Sequence, residues 1–383
     1  MDRAAGSPGL PSQRTATTTA PAVTMASAAP SHGRAAQTRD RGSERILKLY
    51  GREARGGPAR LARGRRESGR PVLRRSPPAG RQRATCDAED MTPEAGTAGA
   101  LASSLCAWID RLFPDAERGD RLERALDERF GDDARVVTDA VCREVEAVAH
   151  DFSRHFALEY VADGSLVPDT EPPGWPPPDP REVRLRAGSV GEVTRRTDGV
   201  GVLALEGLDS VHIAAPYLQA AFALLRGARG MVLDLRRNGG GDPGTVTLVL
   251  DWLLGGEPTH ISDVIYRDRT RQWWTTGRLA ELAPARETPV SVLVGERTFS
   301  SGEALAYHLH SQGRARLVGQ RTRGAADHVT PVRLSSHVRA LLPEARVRDA
   351  VTGSNWEGTR VVPDVPSEPA DSLTAAIDAL RPG

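Results

Sequence analysis

Apolar positions change their period several times along this chain, and each change predicts an element. Between residues 100 and 157 they recur at helical spacing. Leu101, Leu105, Trp108, Ile109 and Leu112 form one stripe, Leu122, Ala125, Leu126 and Phe130 a second, and Val136, Val137, Ala140, Val141, Val145 and Val148 a third. A small bundle of about three helices is predicted. Residues 151–160 then alternate, as a strand does. Residues 168–180 contain seven prolines, which predicts an exposed linker or strap. Beyond it the pattern predicts short strands at 183–185 and 201–205, an amphipathic helix at Val211–Leu225, and a buried strand at 230–236. A glycine-rich turn and a helix at 246–254 come next. Residues 290–294 are apolar enough for a strand covered on both faces. From Ser300 the period becomes helical again through Ala304, Leu305 and Leu309. A strand at Arg316–Gly319, a hairpin over 329–349 and a closing helix at 373–380 complete an α/β pattern.

Charge separates the ends of the chain. Residues 1–90 carry 18 Lys+Arg against 8 Asp+Glu, and the remainder carries 33 against 42, so a total near neutrality joins a basic tail to an acidic body. The tail is rich in Arg, Ala, Gly, Ser, Thr and Pro without apolar periodicity, which predicts disorder, and Met91 is a plausible true start. It lacks the interleaved aromatics of a nucleic-acid-binding segment, so no nucleic-acid partner is expected. No signal-peptide core follows Met1, Met25 or Met91, and no apolar run reaches membrane-spanning length, so a soluble, cytoplasmic protein with no membrane span is expected. Cys86, Cys106 and Cys142 make neither a metal spacing nor a disulfide framework, and no metal or cofactor is expected. The expected domains are a disordered tail (1–90), helices (91–160), a Pro-rich linker (161–182) and an α/β core (183–383).

Candidate chemistry gathers at two strand-to-helix junctions. Gly239, Gly240 and Gly241 follow a buried strand and allow a tight turn that exposes backbone N–H donors. They fit neither the dinucleotide fingerprint nor a P-loop. Ser300 stands where a helix begins. There its hydroxyl either caps the helix or sits in the field of free N–H groups that favour developing negative charge.

Four motifs in order, Asp234-Leu-Arg-Arg-Asn-Gly-Gly-Gly241, Thr298-Phe-Ser-Ser-Gly-Glu303, Val318-Gly-Gln-Arg-Thr-Arg-Gly324 and Asn355-Trp-Glu-Gly with Val362-Pro-Asp364, resemble the tail-specific (C-terminal processing) serine peptidases, in the branch similar to interphotoreceptor retinoid-binding protein and the tricorn core. The resemblance covers roughly residues 100–380. It implies a crotonase-like ββα core and a serine peptidase, or related acyl hydrolase, acting on peptide or protein substrates. It also implies Ser300 as nucleophile, an oxyanion hole from the N–H groups of Ser301 and Gly240, Glu303 at the family's acidic position and Glu357 as the group orienting the base. A homo-oligomer is compatible with it. The roughly 40 residues between Tyr160 and Gly201 are too few for the family's PDZ module.

The base departs from the family pattern. Ala325 occupies the place of the processing peptidases' lysine, Ala204 that of the tricorn-type histidine, and the chain's single lysine, Lys48, lies in the tail. His328, just after Gly324, is the first candidate, with Glu357 as its partner. His155, in Ser153-Arg-His155, is the alternative base. A histidine base beside a carboxylate predicts a rate rising with pH through about 6.5 and shifted upward. His308 and His310, two apart on a helix, are read as structural. Trp273 and Trp274 are expected to lie exposed between strands. Two rival readings are a non-catalytic member binding a hydrophobic ligand or peptide, and a crotonase-type acyl-CoA enzyme.

Overall fold

Strands whose successive side chains are all apolar must be covered on both sides, and the burial of alternate residues shows how this happens here. In the computed structural model, which describes residues 96–162, 174–279 and 281–381, β3 (Val200–Leu205), β4 (Gly230–Asp234), β7 (Val290–Val294) and β8 (Arg316–Gly319) run parallel and adjacent in a six-stranded sheet. The short β11 (Val365–Pro366) continues the sheet in parallel beyond β8, and β2 (Val190–Arg195) closes its other edge antiparallel to β3. Leu203, Leu205, Met231, Leu233, Val292 and Leu317 face one core, with α5 (Val211–Leu225), α6 (Pro243–Leu254) and α7 (Ser301–Ser311). Their sheet neighbours Val202, Val232, Leu293 and Val318 face a second core with α8 (Ser372–Asp378). Trp252 of α6 stacks on Phe222 of α5 with ring centroids 3.9 Å apart.

A second sheet is antiparallel. It has the order β1 (Ala157–Tyr160), β10 (Val338–Asp349), β5 (His260–Tyr266), β6 (Thr270–Trp274), with β9 (His328–Arg333) also paired to β10. The N-terminal helices α1 (Ala98–Leu112), α2 (Ala116–Phe130) and α3 (Asp139–Ala149) do not close a core among themselves. Leu101, Leu105, Ile109, Leu126 and Val145 pack with Val332 and Leu334 and with Val338, Ala340 and Leu342 of β10. Residues 98–158 and 332–342, far apart in the sequence, therefore share one apolar interior. Among the described residues, no helix is long and apolar enough to cross a membrane.

Several expectations change. Residues 183–185, expected as a strand, end α4 (Pro180–Leu185), because Asp179 caps the Arg181 N–H at 2.8 Å and Pro180 starts the helix. Start signals outweigh three alternating residues. Only Ala157–Tyr160 of the segment 151–160 is a strand. The residues before it are held in turns by Phe152 and Ser153 N–H groups on the Ala149 carbonyl. Trp273 and Trp274 lie within β6 rather than between strands, and Trp274 remains 48% exposed on that edge. The tail expected over 1–90 lies outside the described residues, as does the linker segment 163–173.

Candidate active site

Parallel neighbours in a sheet bring the loops at their carboxyl ends together. Here β4, β7 and β8 are adjacent, so the glycine turn, the Ser300 junction and residues 320–327 meet at one end of the sheet. Asn238 ties the first two. Its Nδ2 donates to the Leu205 carbonyl (3.0 Å), its Oδ1 accepts from the Gly240 N–H (2.9 Å), and its own carbonyl accepts from the Phe299 N–H (3.0 Å). Thr298 Oγ1 donates to the Leu235 carbonyl at 2.8 Å. Gly240, at φ 94°, lies so close that a Cβ there would sit 2.9 Å from the Ser300 Cβ, and a Cβ on Gly302 would meet Asn238 Oδ1 at 2.5 Å. Both positions need glycine because the turn and the helix start are in backbone contact.

Ser300 itself has φ 52° and ψ −121°, a region that residues other than glycine seldom occupy. Glu303, fully buried, accepts from the Ser300 N–H (2.9 Å), Gly324 N–H (2.6 Å), Ala325 N–H (3.0 Å) and the Thr322 hydroxyl. Burial pushes its carboxyl up, and the four donors pull it back. Glu303 thus ties the Ser300 backbone to the β8 loop. At the first helical position, the Ser301 N–H has no intrahelical acceptor, and the Ser301 hydroxyl donates to the Gly241 carbonyl at 2.7 Å.

The histidine that the fold brings to this junction is His155. Its ring stands edge-on to Phe299, the residue before Ser300, with centroids 5.0 Å apart at 87°. Its Nδ1 is bonded to the Asp327 carbonyl. A carbonyl only accepts, so Nδ1 carries the hydrogen, and in the neutral ring Nε2 is the basic nitrogen. Glu357 clamps both partners. Its Oε1 accepts from the Arg154 N–H (2.7 Å) and the Ser153 hydroxyl (3.3 Å), and its Oε2 from the Ala326 (2.6 Å) and Asp327 (3.1 Å) N–H groups. Burial lowers the His155 pKa from 6.5, against the Asp327 carbonyl and the charge of Glu357, which raise it.

These contacts revise the expected roles. The anticipated Glu357–His328 pairing does not form: Glu357 hydrogen-bonds the segment carrying His155. His328 begins β9 with its ring against Trp273, centroids 5.3 Å apart, and its pKa is lowered to about 4 by burial and by the nearby His155 and His308. A ring so weakly basic suits proton abstraction poorly. The expected upward shift of a histidine base is also reversed for His155, since desolvation outweighs the carboxylate. Gly240 is beside Ser300 as expected, but its N–H is engaged by Asn238. The next N–H of the turn belongs to Gly241, whose bridge partner Leu208 bonds instead to the Gly240 carbonyl and the Asp242 N–H. His308 is bonded to Asp349 at 2.8 Å within the core, and His310 pairs with Asp364 at the surface. Sequence reasoning missed Asn238 and Asp327 as site residues. Asn238 lay inside a quoted motif, whereas the use of a backbone carbonyl at Asp327 leaves no mark on residue type.

Comparison with known proteins agrees with this architecture. Residues 199–367 match the sequence profile of peptidase family S41. Among solved structures, a candidate peptidase from Parabacteroides merdae shares the fold with a TM-score of 0.51 at 14% identity, over 75% of this chain and 97% of that one. A lipoprotein from Streptococcus agalactiae (TM-score 0.48, 13% identity, 74% and 96% covered) and the photosystem II D1 C-terminal processing protease (0.46, 17%, 71% and 93%) overlap less well. The similarity to peptidase family S41 thus spans residues 199–367, which hold the glycine turn, the Ser300 junction and Glu357.

Proposed function

We propose that this chain is a serine peptidase that cleaves peptide substrates through an acyl-enzyme on Ser300, with His155 as general base. The observation that carries this reading is the Ser300 backbone. A serine held at φ 52° at the start of a helix is strained by about 1–3 kcal/mol, and such strain persists where a side chain must be presented to a reacting partner. In this reading Ser300 Oγ attacks the scissile carbonyl while His155 Nε2 takes its proton. The carbonyl oxygen becomes an oxyanion, and the imidazolium then returns the proton to the leaving amine. The Ser301 N–H, at the positive end of α7, is one oxyanion donor. The glycine turn supplies the other, from Gly241 as the structure stands or from Gly240 once its bond to Asn238 opens. The parallel strands and following helices also suit a crotonase-like core.

Glu357 acts as a positioning residue in this scheme. It holds the segment just before His155, at Ser153 and Arg154, and the amide of Asp327, whose carbonyl binds the ring. Glutamine in its place would set an NH2 group against backbone N–H donors. Glu357→Gln is therefore expected to cost about 2–3 kcal/mol of stability and to lower kcat by roughly two orders of magnitude. Thermal melting and peptide hydrolysis measured together check this. Wild-type rates in the folded variant would remove Glu357 from the mechanism.

The direct test is treatment with a fluorophosphonate probe followed by peptide mapping. A phosphonyl adduct on Ser300 supports the hydrolase. Complete lack of labelling in folded protein favours the non-catalytic binding reading.

A further inference from the structure

Arg118 occupies an electrostatically unfavourable place in its own helix. Asp115 caps α2 by accepting the Arg118 N–H at 3.0 Å, so the guanidinium belongs to the first turn, where the helix dipole disfavours a cation. The side chain is nevertheless held firmly. Its Cζ lies 5.0 Å over the Phe113 ring, and its Nη2 donates to Asp327 Oδ2 at 2.8 Å. Asp327 is fully buried and is the hub of the base side of the site. Its carbonyl accepts from His155 Nδ1, its N–H donates to Glu357, and its Oδ2 lies 3.5 Å from the Ser153 hydroxyl.

We infer that Arg118, from the N-terminal helices, is a positioning residue for the His155 base, anchoring the Asp327 side chain so that the Asp327 carbonyl holds the imidazole. This rests on the reading of His155 as the base. The charged and titratable groups around Asp327 are Arg118, Arg346, Glu357 and the His155 ring. Burial and the charge of Glu357 push its carboxyl up to about 7, and Arg118 and Arg346 oppose them. Without Arg118 the carboxyl takes a proton at neutral pH and loses its tether. Among the described residues, Asp327 Oδ1 and Arg118 Nε are buried without a hydrogen-bond partner, so the two charges are compensated chiefly by the contact between them. The helical segment, which the sequence sets apart from the catalytic motifs, thereby becomes part of the site.

The test uses the full chain and two readouts. The first is the downfield proton NMR signal of the His155 Nδ1–H, identified by its disappearance in His155→Ala. The second is the rate of Ser300 phosphonylation well below the melting temperature. Arg118→Met keeps the bulk over Phe113 but not the charge. It should lose the Nδ1–H signal to exchange and slow phosphonylation at least roughly tenfold, while Arg118→Lys recovers most of both. A lower melting temperature with signal and rate unchanged would reduce Arg118 to a structural role and overturn the inference. If Arg118→Met does not fold, Asp327→Asn decides in the same way: an intact signal and rate there also overturn it. Wild-type protein that shows an Arg118-dependent Nδ1–H signal but no Ser300 labelling would sink the peptidase reading and leave this coupling standing.

Discussion

Ser300→Ala is expected to leave a folded protein whose peptide hydrolysis has fallen by a factor on the order of 10^4 or more. Loss of a helix-capping serine ordinarily costs only about 1 kcal/mol, and alanine keeps the same Cβ in the same strained backbone. The melting temperature should therefore change by no more than about 2 °C. Initial rates on a peptide library and a thermal melt make the comparison. Ser301 offers a built-in control, because its hydroxyl is committed to the Gly241 carbonyl. Hydrolysis within tenfold of wild type in Ser300→Ala would move the nucleophile elsewhere.

The second large effect belongs to His155. His155→Ala should reduce kcat/KM by roughly 10^3–10^4 and abolish the acidic limb of its pH profile. The position of that limb in the wild type follows from burial. The imidazolium is disfavoured in the folded protein, so the ring loses its proton below 6.5, and the rate should reach its plateau before neutral pH. His328→Ala should keep the limb in place and the rate within a few-fold, since its ring packs on Trp273 and is already uncharged above about pH 4. The opposite outcome, an intact limb in His155→Ala and a lost one in His328→Ala, would exchange the two roles. Stability should separate the variants less than rate does, because each removes one half-buried ring.

The two histidines differ in what the sequence and the fold each place near Ser300. In the sequence His328 comes first because relatives resembling the retinoid-binding branch often carry a histidine just after the glycine that Gly324 matches. In the fold it is the Asp327 main chain that reaches His155, while the next residue begins β9 and turns its ring toward β6. His155 comes second there because Ser153 replaces the Asp of the Asp-x-His that branch carries near the end of its helical region. What elevates it is the meeting of its loop with Phe299 and Glu357, residues far along the chain.

From the sequence alone, local patterns determined most of the parallel sheet and its helices. The apolar runs at β4 and β7, the helix at Val211–Leu225 and the strand at Arg316–Gly319 were all legible, since burial on two faces and helical periodicity are written into consecutive residues. The Ser300 junction and the glycine turn were legible for the same reason, as each is a strand end followed by a helix start. Tertiary structure alone decided that the N-terminal helices finish their core with β10, that α4 is helical, and that β5 and β6 exist as an exposed-edge pair. It also decided the surroundings of His155. There the groups in use are a backbone carbonyl at Asp327, four donors converging on Glu357 and a guanidinium at the unfavourable end of its own helix. None of these leaves a local signature, because each gains its stabilisation only from partners the chain meets after folding.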